Sequence, residues 1–160
     1  MEKTNVMRLL EQKKIPYTPH AYPHREGEAV DGVTVARSLG LAPERVCKTL
    51  VTRGAGGKYY VFVIPVEAEL ELKKAAKAVG EKYVEMLPAA QLLPLTGYVR
   101  GGCSPLGMKK QFPTILEENT RELETIFVSA GRIGAQVELR PGDLAELVRG
   151  RFAAVTKPLL

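Results

Sequence analysis

Lys48 stands in VCKTLV, residues 46–51, where a cation interrupts a run of apolar and β-branched residues. On a strand, positions 46, 48 and 50 share one face, so the ammonium projects from a largely apolar wall into a core or a cleft. A buried, unpaired ammonium is costly, so a lysine placed this way meets an anion or opens onto a pocket. An exposed edge-strand lysine is the plain alternative, and composition alone weighs the two equally.

A second stretch, GGCSPLGMKK at 101–110, gathers three glycines, a serine, two lysines and one of the chain's two cysteines. It lacks the GK followed by Ser or Thr of a nucleoside-triphosphate loop and the GxGxxG of a dinucleotide turn. GCS is not GxSxG, and with only two histidines in the chain the serine has no evident base, which argues against a serine hydrolase. What remains is backbone chemistry: glycines let main-chain groups approach a ligand, and Pro105 stiffens the turn, against the simpler reading of a plain turn. Cys103 lacks a recognisable histidine partner and reads as a small buried thiol, as does Cys47 on its strand. His20 and His24 are four apart, the spacing of two ligands on a helical face, but Pro19 and Pro23 argue against a helix and no ligand cluster accompanies them. Neither a metal nor a cofactor is expected, and both histidines fit an extended edge.

These residues need a frame, and 160 residues fit one domain, 1–160, with its own core. Hydrophobic residues make up 45% and charged residues 26%, which excludes a disordered or fibrous chain. The formal charge of +5 makes a polyanionic partner plausible without demonstrating one. The opening MEKTNVMRLLEQKK has no apolar central region of a secretory signal, and the longest apolar run, YYVFVIPV, is far short of the roughly 20 residues that cross a bilayer. A cytoplasmic protein with free thiols and no membrane span is expected.

Helical spacing predicts a short amphipathic helix over 4–14 behind Thr4 or Asn5, a second over 33–40 with Asp31 near its start, and a third over 69–80 ending at Gly80. VCKTLVT and KYYVFVIP flank GAGG and predict a hairpin. A short strand near YVEML, a helical turn after Pro88, strands in TILEEN, ETIFVSAG and QVELR, and a closing helix begun by Pro141 or Asp143 follow. Strands and helices mix without regular alternation, so the expected class is α+β, a mixed, strongly twisted, partly barrel-like sheet with helices outside.

The succession VCKTLV, IPVEAELELKKAAKAVG, VEM, LTGYVRGGCSPLGMKK, PTI, IFVSAGRIGAQVEL and PGDLA resembles the YbaK family of aminoacyl-tRNA editing proteins, from roughly Leu9 to Phe152. The order and spacing of several motifs carry the resemblance. It implies a freestanding relative of the editing domain of bacterial prolyl-tRNA synthetases, a deacylase that clears cysteine wrongly attached to the proline tRNA, Cys-tRNA(Pro), with Cys-tRNA(Cys) as a further candidate substrate. Noncatalytic binding of aminoacyl-tRNA or a synthetase, and hydrolytic editing of another ester such as alanyl or seryl, are the alternatives. By the same resemblance Lys48 matches the essential lysine, Gly101 through Pro105, with Gly102 between them, matches a GxxxP substrate loop, and Tyr22, Thr49, Tyr98 and Ser129 fall on pocket-lining positions. The implied partners are the acceptor end of an aminoacyl-tRNA and prolyl-tRNA synthetase. In the implied mechanism the substrate's own thiol attacks its ester carbonyl and leaves as a thiolactone, so the enzyme needs no nucleophile. Gln136 departs from the pattern, standing where an aspartate is usual, and Cys103 replaces an apolar residue.

Overall fold

The computed structural model describes residues 2–159, and its strands form two sheets. Helix α1 (Asn5–Gln12) begins where the Thr4 hydroxyl accepts a hydrogen bond from Met7 N, and it buries Val6, Met7 and Leu10. Strand β1 (Thr18–Ala21) follows, then α2 (Gly32–Ser38), started by Asp31, whose carboxylate accepts from Thr34 N. The predicted hairpin is β2 (Cys47–Gly54) and β3 (Tyr59–Pro65), paired antiparallel with Lys48 opposite Ile64 and Thr49 opposite Val63. Gly57, at φ 89°, makes the reversal possible.

Helix α3 (Leu72–Val79) ends at left-handed Gly80 and starts later than the 69–80 expectation, because Leu70 is held in a bridge to Thr156. Strand β4 (Val84–Met86), helix α4 (Ala89–Thr96) and strand β5 (Thr114–Glu117) come next, then β6 (Ile126–Ser129), β7 (Ala135–Leu139), α5 (Pro141–Val148) and β8 (Arg151–Ala153). The larger sheet runs β4-β2-β3-β5-β8 and the smaller β1-β7-β6. The strands thus divide into two sheets, linked by a bridge between Val46 and Phe127 and not closed into a barrel, and the expected α+β class stands. β1 and β8 were not expected as strands: one carries Pro19 and the other spans three residues, and each exists through its pairing with β7 or β5.

The main core lies between the sheets, where Val63 and Leu116 meet Val128, Val137 and Leu139, with α1 and α5 closing it through Leu10 and Leu144. The other face of the larger sheet presents Phe62, Ile64 and Ile115 to Ala75 and Ala76 of α3. β3 is thus buried on both faces, which is why YVFVI shows no alternation. Each of these fully buried side chains contributes about 1.5–3 kcal/mol over exposure, and together they fix the two sheets against each other.

Candidate active site

β4 pairs only with Thr52–Gly54, so the first half of β2 has β3 on one side and no strand on the other. A cleft of about 740 Å³ runs along this open edge. Because the edge is unpaired, successive residues Cys47, Lys48, Thr49 and Leu50 all border the cleft, instead of alternate ones only. Its opposite wall comes from the smaller sheet, through Ser129 of β6 and Gln136 of β7, directly paired across the ladder, and from Tyr22 just after β1. Residues Ala29 to Val33, leading into α2, and Arg100, Gly101 and Cys103 complete the rim.

Among the residues singled out from the sequence, Tyr22, Lys48, Thr49, Gly101 and Ser129 therefore meet in one cleft, although they are far apart along the chain. Tyr98, Gly102 and Pro105 do not line it. Tyr98 sits behind the loop: its hydroxyl donates to the Leu106 carbonyl, and its ring covers Gly107 and Gly131, where an added Cβ would meet its hydroxyl at 2.9 Å and its ring at 3.2 Å. Burial pushes the Tyr98 phenol up to about 12, so it remains a donor. Gly102 and Pro105 are buried. Gly101, at φ 85°, is pressed so close to Ala29 that a Cβ would lie 2.7 Å from the Ala29 Cβ, and a Cβ on Gly102 would lie 3.0 Å from the Arg132 backbone. The loop glycines thus permit close approach of chain to chain, and only Gly101 and Cys103 of the 101–105 stretch face the cleft.

The chemistry available there is narrow. Lys48 Nζ donates to the Val66 carbonyl at 3.3 Å and has no carboxylate within ion-pair distance among the described residues. Burial holds its pKa below the usual lysine value, partly offset by the charge of Glu69. Cys47 and Cys103 are free thiols, each pushed up to about 12 by burial, so both are protonated at neutral pH. The Asp31 carboxylate is already committed, accepting from Thr34 N at 3.1 Å and from Thr34 Oγ1 at 2.6 Å. The Ser129 hydroxyl accepts from Gly131 N at 3.1 Å, and among the described residues no histidine lines the cleft. Among the described residues the cleft therefore supplies two cations, Lys48 and Arg100, and hydrogen-bonding groups, without an activated nucleophile or a free carboxylate or imidazole base.

The family model for the aminoacyl-tRNA editing domain matches residues 27–147, the span that contains every cleft element except the Tyr22 wall. The chain belongs to the aminoacyl-tRNA editing domain family. A protein of Enterococcus faecalis named "Putative Cys-tRNA(Pro)/Cys-tRNA(Cys) deacylase EbsC" is 49% identical over 97% of this chain and 94% of its own length. An uncharacterised Bacillus subtilis protein, YwhH, is 29% identical over 69% of this chain and 70% of that one. A solved structure titled "Crystal structure of a putative trans-editing enzyme for prolyl tRNA synthetase" superposes with a TM-score of 0.82 at 21% identity, over 99% of this chain and all of that one, which shows a shared fold.

Within this editing domain, His20 and His24 stand apart from the cleft chemistry. His20 Nε2 lies 2.9 Å from Glu138 Oε1, and the His24 ring covers Gly134. Among the described residues no group of three potential metal ligands forms. Arg100 had not been expected to take part, and Gln136 had been noted only as a departure from the family pattern. A cation immediately before the GGC motif, and a polar residue at the alternate position of a β-rich QVEL, were the available signals. That they face the same space as Lys48 depends on sheet pairing, which local spacing does not specify.

Proposed function

We propose that this editing domain, acting as one unit over residues 1–160 in the cytoplasm, deacylates cysteinyl-tRNA(Pro) by using the substrate's thiol as nucleophile. The observation that carries this reading is the cleft with a lysine ammonium in its wall, two buried protonated thiols and, among the described residues, no free carboxylate or imidazole base. A cleft so equipped suits a substrate that brings its own reactive group. The cysteinyl Sγ attacks the ester carbonyl carbon; the new C–S bond forms, the C–O bond to the terminal ribose breaks, and the thiol proton ends on the departing ribose oxygen. The products are tRNA with a free hydroxyl and cysteine thiolactone.

Lys48 stabilises the negative charge that develops on oxygen, a contribution of about 3–4 kcal/mol where comparable donors have been removed from such sites. Orientation supplies the rest, since the attack is intramolecular and the cleft walls restrict the ester to reactive conformers. Requiring a thiol excludes correctly charged prolyl-tRNA, which has none. This discrimination is needed because hydrophobic pockets separate side chains of similar size by only about 1–3 kcal/mol. Arg100 at the rim and the overall charge of +5 suit the acceptor end of a tRNA, and a synthetase that mischarges proline tRNA supplies the substrate.

The test is incubation with Cys-tRNA(Pro), Ala-tRNA(Pro) and Pro-tRNA(Pro), with mass identification of the released product. Loss of the cysteinyl ester alone, with thiolactone appearing before free cysteine, supports the reading. Loss of the alanyl ester at an equal rate, or no loss of any ester at high enzyme concentration, contradicts it.

A further inference from the structure

Away from the cleft, Glu117 at the end of β5 is 3% exposed and takes no part in the reaction described above. Its Oε1 accepts from Val155 N at 2.9 Å, from Thr156 N at 3.2 Å and from Thr156 Oγ1 at 3.1 Å, and its Oε2 accepts from Asn119 N at 3.1 Å. Three of these bonds come from two adjacent residues, so the buried carboxylate pins the chain just beyond β8. The pinned stretch is stitched in turn to the loop between β3 and α3. Thr156 bridges Leu70, with Glu71 N donating to the Val155 carbonyl at 2.8 Å and Lys157 N to the Glu69 carbonyl at 2.9 Å. Lys74 Nζ donates to the Thr156 carbonyl at 3.0 Å, and Lys157 Nζ lies 3.1 Å from Glu69 Oε2.

The same loop begins at Val66, whose carbonyl accepts from Lys48 Nζ at 3.3 Å and whose N–H donates to the Val46 carbonyl at 2.8 Å. Only Glu67 and Ala68 separate Val66 from the strapped Glu69, and Ala68 N is itself bonded back to the Pro65 carbonyl at 3.0 Å. The Glu69 charge favours the ammonium form of Lys48, against the effect of burial. The other ionisable groups bordering the cleft are Arg100, the Tyr22 phenol, the buried thiols Cys47 and Cys103, and Asp31, which is bonded to Thr34. We propose that Glu69 is a positioning residue that keeps Lys48 an ammonium beside the cleft, and that the stretch 155–157, locked by Glu117, holds Glu69 where its charge acts. This rests on the role given to Lys48 above. Released from the strap, the exposed Glu69 swings into solvent, where 0.1 M salt screens a charge over about 10 Å.

The probe is the Lys48 side chain itself, followed by its 13Cε signal against pH in [13C]lysine-labelled protein and assigned by its loss in Lys48→Ala, alongside the single-turnover pH profile for Cys-tRNA(Pro). Glu69→Gln is expected to move the Lys48 titration and the alkaline limb of deacylation to lower pH together. KM and melting temperature stay unchanged, and the rate on the alkaline limb falls about 2- to 10-fold, the effect of one exposed charge several ångströms away. Added salt shrinks the difference. Glu67→Gln makes the same change of net charge two residues earlier and leaves both curves in place. Glu117→Gln keeps an acceptor for Val155 and Thr156 but loses the charge, so it shifts Lys48 in the same direction and adds nothing further in the Glu69→Gln background. Thr156→Val, which removes the hydroxyl bond alone, gives a smaller shift of the same kind and takes its place where Glu117→Gln does not fold. An unmoved Lys48 titration in Glu69→Gln, an equal shift in Glu67→Gln, or additive shifts when the strap variant is combined with Glu69→Gln would overturn the proposal. A Lys48 titration that responds to Glu69 in a protein that deacylates no ester retains the positioning role and rejects the enzymatic reading; deacylation with a Lys48 titration indifferent to Glu69 does the reverse.

Discussion

Lys48 holds a charge where burial disfavours it, beside a cleft that also carries Arg100 at its rim and the Asp31 carboxylate already bonded to Thr34. Lys48→Ala is expected to reduce kcat/KM for Cys-tRNA(Pro) by about 10²- to 10³-fold, read by single-turnover deacylation. Its pH dependence has a definite sign. The ammonium form is present below its pKa, and burial depresses that pKa, so activity falls on the alkaline side at a lower pH than an ordinary lysine would allow. A residual rate in Lys48→Ala that keeps the same alkaline limb would sever the link to this group. Cys103→Ser, by contrast, leaves deacylation within a few-fold, since the thiol it replaces is protonated and buried. The interruption of an apolar strand by Lys48 was legible in the sequence, and so was the burial of the two cysteines. The position of Tyr98 was not: its ring supports the loop from behind, a relation that depends on how residues 106–107 and 131 fold back onto it.

Two elements set the precision of the cleft. Gly101 combines a φ of 85° with an approach to Ala29 that leaves no room for a Cβ, so Gly101→Ala forces the loop away from the segment before α2. It should lower the melting temperature and deacylation together, whereas Gly142→Ala, in α5 with nothing within 4 Å of its added Cβ, should be neutral or slightly stabilising. Arg149 follows α5 in the left-handed region at φ 53°, and its backbone N–H bonds to the Glu146 carbonyl. Arg149→Gly is expected to raise stability by about 0.5–1 kcal/mol in thermal melts, with activity unchanged. Most elements were legible because their caps and spacing are local: Thr4, Asp31 and Gly80 mark their helices, and GAGG marks the hairpin. β1 and β8 were hidden because short edge strands carry no alternation of their own, and the division into two sheets was hidden because pairing partners lie far along the chain.

At the scale of the molecule, the two sheets are joined around a common core and the cleft opens along the one stretch of β2 that lacks a second strand. Glu138 links separate elements: its carboxylate accepts from Thr125 Oγ1 at 2.6 Å and lies 2.9 Å from His20 Nε2 and 3.3 Å from Arg45 Nη2. Burial pushes its pKa up, but the bonds from Thr125 and His20 and the charges of His20 and Arg45 outweigh it, holding the group below the usual carboxylate range. A depressed folded-state pKa stabilises the fold above the unfolded value and loses that contribution as pH falls through the folded value. Glu138→Gln should therefore flatten the acid side of the stability curve below about pH 4.3, as followed by denaturant titration. The net charge of +5 belongs to this scale as well, and under the proposed function it predicts weak, salt-sensitive contact with tRNA. The central claim is that the reacting nucleophile arrives with the substrate, and it is tested most directly by comparing deacylation of Cys-tRNA(Pro) with that of the same tRNA carrying S-methylcysteine. The account predicts rapid loss of the first ester and stability of the second, whose sulfur cannot become a thiolate; equal rates on both would contradict it.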